Sequence, residues 1–336
     1  MKKTARSWIC NCLSGIVPAV ILFCSFVAAL GFGSVEIPWS SVWEFLSGTA
    51  DMSSPDAVIL RELRFPRVLC AMLAGGAFAV SGAVLQGVLR NPLASPEITG
   101  VSAGGAVAGL TAMLFFSAGP HITLFAVFSG ALLTALAVYL LAWKNGVSPL
   151  RLILSGVAFS TLCGAVCSTM MYIASDKSSQ ILSFSLGSLA MRSAEDLTTV
   201  FPFAAAGFIM AWLLAKRLDI LQLGDDTAHS LGVPVELSRT LLLFSSVLLA
   251  ASGVSLAGLI GFAGLVVPHL VRLIFSCSDS RSLILKSAVF GAAFVTVCDT
   301  VGRSAASPIE IPAGVLTALA GPPFFLWLLF RKERIS

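Results

Sequence analysis

Charge is what this sequence has least of. Only 11% of its 336 residues are Asp, Glu, Lys or Arg, less than half the roughly 25% typical of soluble domains. A water-soluble globule of this length cannot cover itself from so small a stock, which excludes most soluble enzymes, nucleic-acid binders and disordered chains. No Lys follows a Gly anywhere, so the GxxxxGK[ST] loop that cradles nucleotide phosphates is missing. The long apolar runs are nearly free of ionisable groups, with His269 and Asp299 close to run ends. Proton- or sodium-driven carriers keep such groups at mid-membrane to bind the coupling ion, so that class is disfavoured too. If the protein pumps, its energy comes from another polypeptide. No linker, low-complexity tract or soluble domain is visible. The eight cysteines show no zinc-ribbon spacing, and Cys163 and Cys167, on one helix face, lack His or carboxylate company. No metal site and no catalytic residue is expected. What remains is apolar, 57% of the chain, and the expected class is an all-α polytopic membrane protein.

A crossing helix needs about 20 apolar residues, because the hydrocarbon core tolerates only internally satisfied backbone. Uncharged runs give ten segments: Ile9–Phe32, Val68–Leu89, Ile98–Phe116, Ile122–Trp143, Leu152–Ile173, Leu197–Ala215, Thr240–Gly258, Leu259–Phe275, Ser287–Val301 and Ile311–Phe330. The stretch from Thr240 to Val267 is too long for one crossing, and Gly258, Gly261 and Gly264 offer places to turn. An even count puts both termini on one side, which collects fifteen Lys and Arg against six on the other. The positive-inside rule makes the richer side cytoplasmic. A cleaved leader ending near Ala28-Ala29 is the alternative for the first segment; its length favours a retained helix. The whole chain, 1–336, is expected to form one transmembrane domain. Segments two to five and seven to ten, about 68–173 and 240–330, start on opposite sides, the geometry of an inverted repeat. Between them lies a cytoplasmic polar segment, about 218–236.

Three features carry possible chemistry. Gly100-Val101-Ser102-Ala103-Gly104 matches G-x-S-x-G, a nucleophile pattern that intramembrane serine proteases also use. It needs a His in reach, yet His121 falls at the opposite membrane end, His229 in an inner loop, and no His at mid-membrane; chance in a Gly/Ser/Ala-rich helix is the better account. Arg61, Arg64 and Arg67 put three arginines within seven residues on the face where positive charge is disfavoured, with Arg303 on the same side. Snorkelling explains such residues in general; breaking the bias three times suggests an outward basic patch for an acidic partner or anionic ligand. In the inner segment, Asp225 and Asp226 favour the first turn of a short helix, Thr227–Leu231, with Gly232 as its stop and Pro234 blocking continuation. That is a compact face on which a motor could push.

Several stretches carry a resemblance. Leu63-Arg64-Phe65-Pro66-Arg67 leads to Gly82-Ala83-Val84-Leu85-Gln86, then to Arg90-Asn91-Pro92-Leu93-Ala94-Ser95-Pro96. The inner loop reads Leu223-Gly224-Asp225-Asp226-Thr227-Ala228-His229-Ser230-Leu231-Gly232. Gly261-Phe262-Ala263-Gly264 runs on to Pro268-His269, and Asp299, Arg303, Glu310 and Gly321-Pro322-Pro323 follow. From about residue 60 onward the chain resembles the FecCD-type permease family of ABC importers, which take up ferric siderophores, haem and cobalamin. The resemblance implies a BtuC-like permease fold of ten transmembrane helices in a bacterial or archaeal cytoplasmic membrane. It implies a second permease copy as homodimer or close heterodimer, two cytoplasmic ATPase subunits that use ATP and Mg, and an extracytoplasmic substrate-binding protein. Lipid is the surrounding partner; no cofactor on this chain and no nucleic acid are implied. Arg64, Arg67 and Arg303 take the family's binding-protein docking positions. Gly224, Asp225, Asp226, Thr227, Ala228, Ser230, Leu231 and Gly232 take those of the ATPase-coupling helix. Asn91, Leu93, Ser148 and Pro149 correspond to an inner gate. The expected cargo is a ferric siderophore, with cobalamin or haem as the alternative.

Overall fold

The computed structural model describes residues 2–143, 149–173, 178–275, 277 and 279–333. Among them no β-strand occurs. Helix α1 (Lys2–Gly31) is followed by α2 (Trp39–Ser47) and α3 (Pro55–Val58). Ser54 caps α3 by accepting from the Ala57 N–H at 3.3 Å. The chain then passes through a π-helical turn, Ile59–Arg64, into α4 (Phe65–Val88), and the Phe65 N–H bonds Leu60 O, five residues back. Pro66 explains the widening: it has no N–H to give, and the turn ahead of it relaxes. That turn aims Arg64 and Arg67 from one helical shoulder.

α4 is the hub on which α9 (Ala194–Leu213), α12 (Val235–Ala257), α13 (Ala263–Phe275) and α14 (Ser280–Ser304) pack. Small residues make the approach possible. A Cβ on Gly75 would lie 2.2 Å from the Gly291 carbonyl of α14, and one on Gly82 only 1.7 Å from that of Gly264 in α13. Close backbone contact of this kind is the usual substitute, inside a bilayer, for a hydrophobic driving force between helices. α5 (Val101–Phe115), α6 (Pro120–Ala142) and α7 (Pro149–Ile173) form a second group, entered through a 3-10 turn at Pro96–Thr99. α8 (Ser178–Ser185) precedes α9, α10 (Ala215–Gln222) and α11 (Asp225–Ser230) follow it, and α15 (Ala313–Glu333) closes the chain.

Each of the ten apolar segments is occupied by one helix: α1, α4, α5, α6, α7, α9, α12, α13, α14 and α15. Among the described residues six helices are long and apolar enough to cross a membrane, beginning at Pro55, Pro120, Leu150, Ala194, Val235 and Ser280. Four apolar helices are shorter: Ile16–Gly31, Val101–Phe115, Ala263–Phe275 and Ala313–Phe324. The run from Thr240 to Val267 does break where glycine allows it. Gly258 has φ +71° and Phe262 φ +65°, and α13 starts directly after. The sixth and ninth segments prove longer than their apolar runs, because α9 begins on a Ser193–Asp196 capping box and α14 on an Asp279 cap.

The helices run up and down, so charged groups gather at two ends. One end holds the start of α4 with the end of α14, and the starts of α6 and α9, where His121 lies 2.9 Å from Glu195. At the other, the end of α4 meets α11, and Asp219 of α10 caps the Ser280 N–H of α14 at 2.9 Å.

Candidate functional sites at the two ends of the bundle

At the first end the three expected docking arginines come together, two of them around the carboxylates of Asp299 and Glu310. Arg67 Nε and Nη2 hold the Asp299 carboxylate at 3.0 and 2.9 Å, while its Nη1 reaches Glu310 at 2.8 Å. Arg303, one helical turn after Asp299 on α14, places its Nε 3.2 Å from the other side of the same carboxylate. Arg303 Nη2 donates to Ala29 O at 2.9 Å. Arg64 Nη1 donates to Leu30 O and Gly31 O at 2.6 and 2.7 Å, and its Nη2 to Val35 O. The end of α1 is therefore stitched to α4 and α14 through main-chain carbonyls.

These arginines do not form an open patch. Arg64 is 4% exposed and Arg303 3%; at the rim stand Arg67, 12% exposed by side chain, and Glu310 at 35%. Arg61, the remaining cation of the sequence cluster, stays in solvent beside Glu62 at 3.4 Å. Burial alone would raise the Glu310 carboxyl, but Arg67, the Ser34 hydroxyl and Arg303 outweigh it and hold the group below the usual carboxylate range. The sequence reading overlooked that Asp299 and Glu310 are the cluster's own anions. The one available signal was the four-residue spacing of Asp299 and Arg303, which puts both on one helix face.

At the second end, Gly224 at φ +117° turns the chain into α11, an angle that favours glycine. Gly232 at φ +76° ends the motif, with Val233 N–H bonded to Ala228 O at 3.0 Å. The helix spans Asp225–Ser230, two residues earlier at its start than the sequence suggested. Ala228 faces inward, whereas Leu223 and Leu231 are 65% and 60% exposed. Asp225 is clamped: Arg239 Nη2 from the start of α12 lies 2.8 Å from both of its oxygens, and Arg90 from the end of α4 bonds Oδ1. Burial works against the charged form of Asp225, yet the two guanidinia prevail and its pKa falls below the ordinary value. Arg90 and Arg239 were counted in the sequence only as inner cations; their convergence, 149 positions apart by number, has no local signature.

Arg90 also opens the proposed gate segment. It sits at φ +49°, and Asn91 Oδ1 then accepts the Leu93 N–H at 2.9 Å, an Asx turn. Leu93 is 54% exposed. Pro149 begins α7, and Ser148 lies outside the described residues. Asn91 and Leu93 are thus one bonded step from the Asp225 clamp.

The rival protease site is not assembled. Ser102 is buried, and its Oγ has no hydrogen-bond partner among the described residues; His269 packs edge-on against Phe324 instead. Among the described residues no group of three or more His, Cys, Asp or Glu is placed to hold a metal ion.

The chain is 37% identical over 335 residues to the Fe(3+)-citrate import system permease protein YfmE of Bacillus subtilis, covering 99% of each. It is 37% identical to the hemin transport system permease protein HmuU of Yersinia pestis, covering 93% of this chain and 95% of that one. A solved structure described as an inward-facing conformation of a metal-chelate type ABC transporter superposes with a TM-score of 0.81 at 32% identity, over 94% of this chain and 97% of that one. The model of the FecCD transport family matches residues 21–331, and the chain belongs to that family: it is the permease component of an ABC importer, a multi-pass membrane protein and not an enzyme.

Proposed function

We propose that this chain conducts an iron chelate, a ferric siderophore or citrate-type complex, across the cytoplasmic membrane of a bacterium or archaeon. The observation that carries the cargo class is end-to-end similarity to a permease named for ferric citrate. The haemin permease keeps haem as the second cargo, and cobalamin is the third member of the same class of large chelates. In this reading all ten apolar helices cross, the four short ones completing their paths with the 3-10 turn before α5 and the 258–262 turn before α13. Both termini then lie in the cytoplasm with α11. The chain is one domain with inverted halves, about 68–173 and 240–330.

A second permease copy, two ATPase subunits and a substrate-binding protein complete the machine. α11, with Gly224, Asp225, Asp226, Thr227, Ala228, Ser230, Leu231 and Gly232, is the element seated on the ATPase; exposed Leu223 and Leu231 flank its apolar contact. ATP closes the motor pair, α11 moves with it, and the pore alternates between its two openings. Asn91 and Leu93, with Ser148 and Pro149, form the inner gate. Arg64, Arg67 and Arg303 mark the end where the binding protein docks. Its carboxylates compete with Glu310 for Arg67 at the rim, and they reach Arg64 or Arg303 only if segment 29–35 releases those donors.

The test is reconstitution. The permease should co-purify with a nucleotide-hydrolysing subunit, and proteoliposomes should accumulate chelated iron only with ATP and loaded binding protein. Transport by the permease alone, or transport abolished by uncouplers while ATP persists, overturns the reading. A Ser102→Ala variant should keep full uptake; loss of all function with normal folding would revive the protease.

A further inference from the structure

A second basic feature lies at the same end as the arginine cluster and takes no part in it. Arg192, in the connection between α8 and α9, lines a half-open cavity of about 570 Å³, a size usual for small-molecule sites. The cavity lies between the end of α5, the start of α6, α8 and the end of α12. Its walls include Met113, Thr123, Ser183, Ser188 and Ser255, and among the described residues no carboxylate.

Arg192, half-buried, stands apart from the buried arginines of this end. Its Nε is buried, and no hydrogen bond or ion pair to it occurs among the described residues. Asp196, whose charge reaches it, accepts the Ser193 N–H through Oδ2 at 3.0 Å in the cap of α9, and its Oδ1, 3.5 Å from His121 Nδ1, has no hydrogen bond among the described residues. A guanidinium carries five donors and no acceptor, and leaving a buried one of them unpaired is costly. Two neighbours are donors as well. Ser188 Oγ accepts the Ala190 N–H at 3.1 Å and keeps its own proton to give, while Ser183 Oγ has no hydrogen bond among the described residues.

We propose that this cavity is an oxyanion site in which Arg192, Ser183 and Ser188 hold a carboxylate or phosphate group. The inference deepens the importer reading and rests on it in one respect: an acidic ferric chelate arriving at this end presents such a group. The headgroup phosphate of an anionic lipid is the other source of the same chemistry.

The experiment uses the permease–ATPase complex in phosphatidylcholine nanodiscs, with citrate as the probe and thermal unfolding as the readout. Binding to the native state raises Tm with ligand concentration. The wild type should be stabilised by citrate. Arg192→Gln should be at least as stable without it and should lose the citrate shift, and Arg192→Lys should bind roughly tenfold more weakly. If Arg192→Gln does not fold, Ser188→Ala should reduce the citrate shift measured against its own resting Tm. Lipid co-purified from a phosphatidylglycerol-containing membrane is measured in parallel; its loss in Arg192→Gln, with no citrate shift, assigns the site to a headgroup. A wild type that shows neither a citrate shift nor retained phosphatidylglycerol overturns the proposal. A citrate shift in a complex that takes up no iron would sink the cargo assignment and leave the oxyanion site standing.

Discussion

At Asp299 one carboxylate serves two guanidinia, 2.9 Å from Arg67 and 3.2 Å from Arg303, with its side chain 3% exposed. Removing one member of a buried charge group strands the others, which costs about 3–5 kcal/mol. Asp299→Asn keeps the shape and removes the charge, so a fall of that size in unfolding free energy is expected for the purified permease. Glu310→Gln, at the rim, should stay within about 1 kcal/mol of wild type, as exposed pairs do; equal losses for the two would refute the shared-carboxylate account. Glycine supplies a second contrast. Gly82→Ala would set a methyl 1.7 Å from a backbone carbonyl, whereas a Cβ on Gly119 meets nothing within 4 Å. Overpacking against immovable backbone costs roughly 1–3 kcal/mol or more, so the first variant should express poorly and the second like wild type. The arginines were legible in the sequence because they broke a charge bias. Their acceptors were not, since the carbonyls of Ala29, Leu30, Gly31 and Val35 are groups every residue carries.

Among the elements, α11 shows how a six-residue helix is kept in place. Helices this short do not persist alone; tertiary contacts must fix them. Asp225 supplies one by tying α11 to α12 through Arg239 and to α4 through Arg90. Since Arg90 opens the Asn91–Leu93 turn, the same carboxylate links the helix proposed to face the motor to the proposed gate. Asp225→Asn should therefore leave ATP hydrolysis by the complex largely intact while iron uptake per ATP falls several-fold. Equal decreases in both would point to lost assembly instead. The pH behaviour follows from the sign of the shift. The Asp225 pKa is lowered on folding, so its contribution is fully present above the unfolded value near 3.8 and is lost only as pH falls through the lower folded value. Uptake per ATP should accordingly be flat between about pH 5 and 8 on account of this contact, and a midpoint inside that window would argue against the clamp. Helix positions were legible as uncharged runs, and the Gly232 boundary as turn chemistry, whereas the start at Gly224 was not. The π-helical turn before Phe65 was not, because Pro66 signals an interruption without saying whether the turn tightens or widens.

For the whole molecule, the order of directions is the strongest constraint. α9 carries the chain from the end holding Met191 to the end holding Leu231, and α12, α13 and α14 carry it back to Ile309. These residues are 91%, 60% and 73% exposed, so each is open to a water-soluble reagent. The sequence could count apolar runs and weigh cations, but it could not say that α13 has only 13 residues and begins directly after the Gly258–Phe262 turn. This is why helical length by itself yields fewer crossings than charge asymmetry does. Single-cysteine variants in a cysteine-free background decide between them. Met191→Cys and Ile309→Cys should react with a membrane-impermeant maleimide added to intact spheroplasts, and Leu231→Cys only after lysis. If α13 failed to cross, Ile309→Cys would share the protection of Leu231→Cys while Met191→Cys still reacted, and the inverted arrangement of the halves would fall with it.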